Sequence, residues 1–147
     1  MPIPRFRLLM IEDNPERAAK IREWIPDGCQ LVVSTSAGMA MGVLQRDSGN
    51  VYGAVMLDHD LHEQPAAETD LALSGTDLVN NIIIHLSRDV PILVHSMNSS
   101  RGPQLVDRLM KAGFDVTRIP FAELDKNTFV MWLEEAREDW LEIIQLN

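Results

Sequence analysis

The chain has 147 residues, with 13 Lys+Arg against 22 Asp+Glu, a formal charge of −9 at pH 7. Length, 46% hydrophobic residues and 24% charged residues fit one globular domain, and with a lone Cys29 they exclude disorder, a fibrous repeat and a disulfide scaffold. The acidic balance argues against bulk nucleic-acid binding, which needs clustered Lys and Arg.

The first apolar run, residues 7–11 (RLLMI), suits a strand buried on both faces and ends in Glu12-Asp13-Asn14. Asn14 is placed to cap a helix with Pro15 at its first position, running through Trp24 until Pro26-Asp27-Gly28 stops it. Residues 30–34 (QLVVS) read as a second strand, and residues 36–45 as a second helix with Met39 and Met41 as packing residues. The third strand, 52–57 (YGAVML), runs into Asp58-His59-Asp60. Residues 61–74 read as a long loop and 75–86 as the third helix. The fourth strand, 91–94 (PILV), ends at His95-Ser96-Met97-Asn98. A helix over 103–112, with Met110 as a core residue, stops at Gly113; a short strand follows at 115–119, then Pro120. Asp125 or Asn127 caps a long last helix whose Phe129, Trp132, Leu133, Ala136, Trp140 and Ile143 recur at helical spacing.

Five strands alternating with five helices predict a three-layer α/β sandwich with a parallel sheet, spanning residues 1–147 as one domain. No stretch approaches the roughly 20 apolar residues needed to cross a bilayer. The start lacks an apolar signal region, so a cytoplasmic setting is expected.

Such folds place ligands beyond the carboxyl ends of the strands. Glu12 and Asp13 follow the first strand there, and Asp58 and Asp60 the third. In the strand order 2-1-3-4-5 those two ends are neighbours. Clustered carboxylates repel unless a cation intervenes. An oxygen-rich, hydrated set of this kind favours Mg²⁺, with Mn²⁺ as the alternative. The plainer explanation is that strand-end acids cap turns and helices.

Residues 8–15 (LLMIEDNP) resemble the first strand of response-regulator receiver domains, whose paired acids hold Mg²⁺. Met56-Leu57-Asp58 resembles the strand bearing their phosphorylated aspartate, and residues 91–96 (PILVHS) the strand ending in their phosphoryl-contacting hydroxyl. Ile119-Pro120-Phe121 stands where receivers have Lys-Pro-Phe, so the switch lysine is replaced by Ile119. Arg118 is the neighbouring base, and strand alternation points it to the opposite face. The DHDL at 58–61 and VHSMN at 94–98 resemble a narrower branch, the cyclic-phosphate-processing receiver domains.

The resemblance implies a CheY-like, flavodoxin-like fold and metal-dependent handling of a cyclic or terminal phosphate on a nucleotide or other small molecule. On that reading Glu12, Asp13, Asp58 and Asp60 hold a divalent cation, and Asp58, His59 and His95 are catalytic. The alternative is a signalling module phosphorylated on Asp58 by a histidine kinase, which acts through a protein partner or a homodimer. A third is a partner-binding domain without chemistry.

If Asp58 and Ser96 share one face, alternation sends His59 and His95 to the other. If the chain has already left the strand, either histidine can enter the pocket and serve as acid or base. The run 96–102 (SMNSSRG) leads into a helix, where backbone N–H groups favour anions. Ser96, Asn98 and Arg101 are therefore candidate phosphate-binding residues, the other explanation being a helix-capping loop.

Overall fold

The structure, a computed structural model, describes residues 5–58 and 75–146. In chain order it has β1 (Phe6–Ile11), α1 (Pro15–Trp24), β2 (Cys29–Ser34), α2 (Ala37–Arg46) and β3 (Ala54–Leu57). Then come α3 (Gly75–His85), β4 (Ile92–Val94), α4 (Arg101–Lys111), β5 (Val116–Arg118), a 3-10 turn at Phe121–Glu123 and α5 (Lys126–Leu146). All strand pairs are parallel, in the order β2-β1-β3-β4-β5. Parallel neighbours require crossovers, and the helices supply them, covering both faces of the sheet.

Alternation along the inner strands divides the apolar residues between two cores. Leu9 and Ile11, Val55 and Leu57, and Ile92 and Val94 pack with Ala40 and Leu44 of α2, Leu78 and Ile82 of α3, and Leu105 and Leu109 of α4. Leu8 and Met10, Ala54 and Met56, and Leu93 pack with Ile21 of α1 and with Phe129, Leu133, Ala136 and Trp140 of α5. The second core is also pinned by a hydrogen bond, from Trp140 Nε1–H to the Asn50 carbonyl at 2.9 Å.

The ends follow the chemistry expected of them. Asn14 Oδ1 accepts from the N–H groups of Glu16 and Arg17, with Pro15 in the first turn of α1. Asp125 Oδ1 accepts from Thr128 N–H at 2.7 Å, so Asp125 rather than Asn127 caps α5. Gly113 closes α4 at φ 101°, a backbone angle that only glycine adopts freely.

Three details differ. β3 begins at Ala54 rather than residue 52; Gly53 just before it passes against the rings of Phe6 and Trp140, where a side chain would collide. α4 begins at Arg101, with Pro103 tolerated in its first turn. Met39 and Met110 are 45% and 57% exposed rather than core, since each lies off the buried stripe of its helix. Among the described residues no helix is long and apolar enough to cross a membrane.

Candidate functional site at the carboxyl ends of β1, β3 and β4

Register decides which strand-end residues meet. Ile11 is level with Leu57, and Leu57 with Val94. All three point into the core under α2, α3 and α4. One residue further, alternation turns Glu12, Asp58 and His95 together toward α1 and α5. Backbone bonding continues past the strands: Asp58 N–H donates to the Ile11 carbonyl and His95 N–H to the Leu57 carbonyl, each at 3.1 Å. The three side chains thus start from fixed backbone. Asp58 and Ser96 therefore do not have the same parity. Ser96 lies one residue beyond the level of Asp58, and His95 is the residue that joins the carboxylates.

The cluster is deeply buried, with Glu12 and His95 at 0% exposure and Asp58 at 3%. His95 Nε2 lies 3.3 Å from Glu12 Oε2. On the other oxygen of Glu12, Arg17 Nη1–H donates to Oε1 at 3.3 Å, and the same nitrogen is 3.6 Å from Asp58 Oδ2. Arg17 reaches the site from the first turn of α1, where the Asn14 cap holds its backbone N–H. Its guanidinium lies over the Phe121 ring, 5.5 Å from the centroid, and Phe121 meets His95 edge-on at 6.0 Å. Phe121 is held in turn by its N–H donating to the His95 carbonyl at 3.0 Å.

Burial and charge oppose one another here. Burial raises the Glu12 carboxyl above its ordinary value, although hydrogen bonding with Asp58 and the charge of Arg17 pull it down. Burial pushes the His95 imidazole down to about 4; the Asp58 charge opposes that shift and Arg17 adds to it. His95 is thus a neutral base at neutral pH, beside a carboxyl that holds its proton more tightly than usual.

The other candidates differ in their surroundings. Asp13 is buried at 3% at the end of β1. Yet among the described residues, the ligand atoms lying within 4.8 Å of one another come from Glu12, Asp58 and His95. His59 and Asp60 lie outside the described residues. Ser96 is buried, and its Oγ accepts from Asn98 N–H at 3.2 Å.

Asn98 Oδ1 accepts from Ser100 N–H, Ser100 Oγ–H and Arg101 N–H, the last at 2.8 Å. Those N–H groups, expected to cradle an anion, are already occupied, so the loop caps itself. Arg101 projects from the helix start, exposed. Arg118 points to the opposite face as alternation predicted, lies against Gly102, and donates to the carbonyls of Ser96 and Asn98 at 3.2 and 3.3 Å. Ile119 packs into the core on the α1–α5 side.

Sequence reasoning missed Arg17 and Phe121. The signal for Arg17 was present: a base three residues after the helix cap, on the helix that follows the first acidic strand end. Nothing local says that it folds back onto Glu12 rather than into solvent.

The donor set fits a divalent ion. Two carboxylates and an imidazole within 4.8 Å of one another can converge on one cation. The imidazole suits Mn²⁺ or a later transition metal better than Mg²⁺, which prefers oxygen alone.

The fold is that of CheY-like receiver domains. It is similar to a sensor protein from a Polaromonas species at TM-score 0.64 and 23% identity, over 93% of this chain and 99% of that one. It is also similar to a CheY-like response regulator receiver domain protein from Methanospirillum hungatei, at TM-score 0.64 and 13% identity over 93% and 98%. The receiver domain of a sensor histidine kinase from Pseudomonas aeruginosa, with a magnesium ion coordinated in its active site cleft, matches at TM-score 0.64 and 19% identity over 93% and 98%. No protein-family model and no curated protein sequence matches the chain.

Proposed function

We propose that this chain is a receiver-type signalling module with Asp58 as its phosphoryl acceptor and a histidine kinase or its phosphohistidine relay as donor. The observation that carries this reading is the position of Asp58. It ends the central strand β3, level with an acid from β1, in a fold shared with receiver domains. In the transfer, an Asp58 oxygen attacks phosphorus and the P–N bond of the donor phosphohistidine breaks. The imidazole departs with the bonding pair and takes up a proton. A divalent cation held by Glu12 and Asp58, with His95 beside them, would supply positive charge to the phosphoryl oxygens. The chain's own groups do the rest: they fix the carboxylate, keep bulk water from it, and place Arg17 against it.

The test uses acetyl phosphate with Mg²⁺ or Mn²⁺ and intact-mass measurement. The expected outcome is one phosphoryl group per chain, absent in Asp58→Asn. A chain that stays unmodified with every donor and metal overturns the proposal.

A second reading, metal-dependent hydrolysis of a cyclic phosphoester, is favoured by His95 alone. A neutral imidazole 3.3 Å from a carboxyl is equipped to pass a proton between water and a leaving oxygen. Turnover of a cyclic nucleotide with Mn²⁺, lost in His95→Gln, would support it, and no turnover would dismiss it.

A further inference from the structure

We propose that Arg17 takes over the phosphoryl-binding work that a lysine at position 119 would do. It holds the charge on modified Asp58 from α1 rather than from β5. The inference rests on Asp58 as acceptor.

The last strand supplies no cation to this side of the sheet. Ile119 points there and is packed among apolar side chains. Arg118 points the other way and is engaged with the carbonyls of Ser96 and Asn98. A phosphoryl group on Asp58 would add negative charge beside Glu12, in a pocket where both carboxylates are almost wholly buried. Beside a divalent cation held by Glu12 and Asp58, a side-chain donor would complete the answer to that charge.

Arg17 is already there, its Nη1 3.6 Å from Asp58 Oδ2 and 3.3 Å from Glu12 Oε1. Its side chain is 30% exposed, so it reaches inward from the rim rather than being sealed below the carboxylates. The Phe121 ring lies beneath it, its centroid 5.5 Å away, and the forked N–H donors match phosphoryl oxygens in pairs. Phe121 follows the Ile119-Pro120 corner directly. One contact thus links the site to both the start of α1 and the turn after β5. Modification of Asp58 would be felt first at those two places.

The experiment compares the unaltered chain with Arg17→Met, Arg17→Gln and Arg17→Lys. Two readouts are taken: the acyl-phosphate fraction with acetyl phosphate, and the affinity for trifluoroberyllate, which mimics a phosphoryl group on a carboxylate. Unfolding midpoints establish that each variant is folded. Losing one charge-assisted contact should weaken trifluoroberyllate binding roughly tenfold in Arg17→Met, with a matching drop in acyl phosphate. Arg17→Lys should fall between the two. Should Arg17→Met not fold, Arg17→Gln, which keeps a neutral donor, carries the same expectation. Equal binding and equal modification in the folded variants overturn the role of Arg17 and leave Asp58 as acceptor. An unaltered chain that accepts neither phosphoryl nor trifluoroberyllate overturns both.

Discussion

Two polar regions lie one residue apart at the carboxyl end of β4, and they put similar groups to opposite uses. At the level of His95, acids, a base and a guanidinium meet from four elements, and their charges are mutually strained by burial. At the next step, Ser96, Asn98 and Ser100 bond to one another and to the start of α4, while Arg118 clamps their backbone from behind. The first region keeps ionisable groups whose protonation a ligand can alter. The second spends its polarity on holding a loop. Composition alone does not separate them: the serine-rich stretch has more of the appearance of an anion site, yet the N–H groups of Ser100 and Arg101 are taken by Asn98.

The largest effect should come from pH at His95. The folded imidazole titrates at about 4 and the unfolded one near its ordinary 6.5. Between those values the unfolded chain binds a proton that the folded chain refuses, so stability is full above 6.5 and falls as pH drops toward 4. Glu12, raised by burial, works in the opposite sense, because its folded form holds a proton that the unfolded form has lost. The His95 share alone amounts to about 3 kcal/mol. Urea unfolding across this range should show a steep decline that His95→Gln flattens; an unchanged slope would mean the imidazole is not held neutral.

A smaller loss is expected in the neighbouring region. Arg118→Met keeps the packing against Gly102 but removes the donors to the Ser96 and Asn98 carbonyls. The cost should be about 2 kcal/mol, read as a lowered urea midpoint. Phosphoryl or trifluoroberyllate binding at Asp58 should move far less than in Arg17→Met. If the two arginines proved interchangeable in that assay, the contrast between the regions would collapse.

The smallest effect belongs to Asn98→Ala. It strips the side-chain acceptor from Ser100 and Arg101 N–H and should lower stability by about 1 kcal/mol, a typical helix-cap loss. It also frees those N–H groups. Any gain in phosphate affinity in this variant would show that the loop has latent anion-binding capacity.

Much of this was legible beforehand. The apolar runs before Glu12, Asp58 and His95 gave the strands, Asn14 gave the first cap, Asp125 or Asn127 was open for the last until the structure chose Asp125, and the alternation of elements gave the parallel sheet. Even the meeting of Asp58 with His95 follows from counting, once Leu57 is set level with Val94. Of the two placements left open for His95, the structure has the one in which it joins the carboxylates, because Ser96 lies one residue further and in a strand one residue reverses the face. Asp13, buried beside them, adds its charge to the carboxyl of Glu12.

The sequence by itself determined the strands, the parallel sheet they imply and the acids at the strand ends, because these depend on periodicity; the order 2-1-3-4-5 that makes those ends neighbours is the common one for such folds and is the order found. Only the tertiary structure decided which charge partners those acids have. Arg17 and Phe121 come from separate elements, and a long side chain's partner is set by packing between elements rather than by anything in its local sequence. The same holds for the loop after β4, where the N–H groups of Ser100 and Arg101 look available until the fold gives them Asn98 Oδ1 as acceptor.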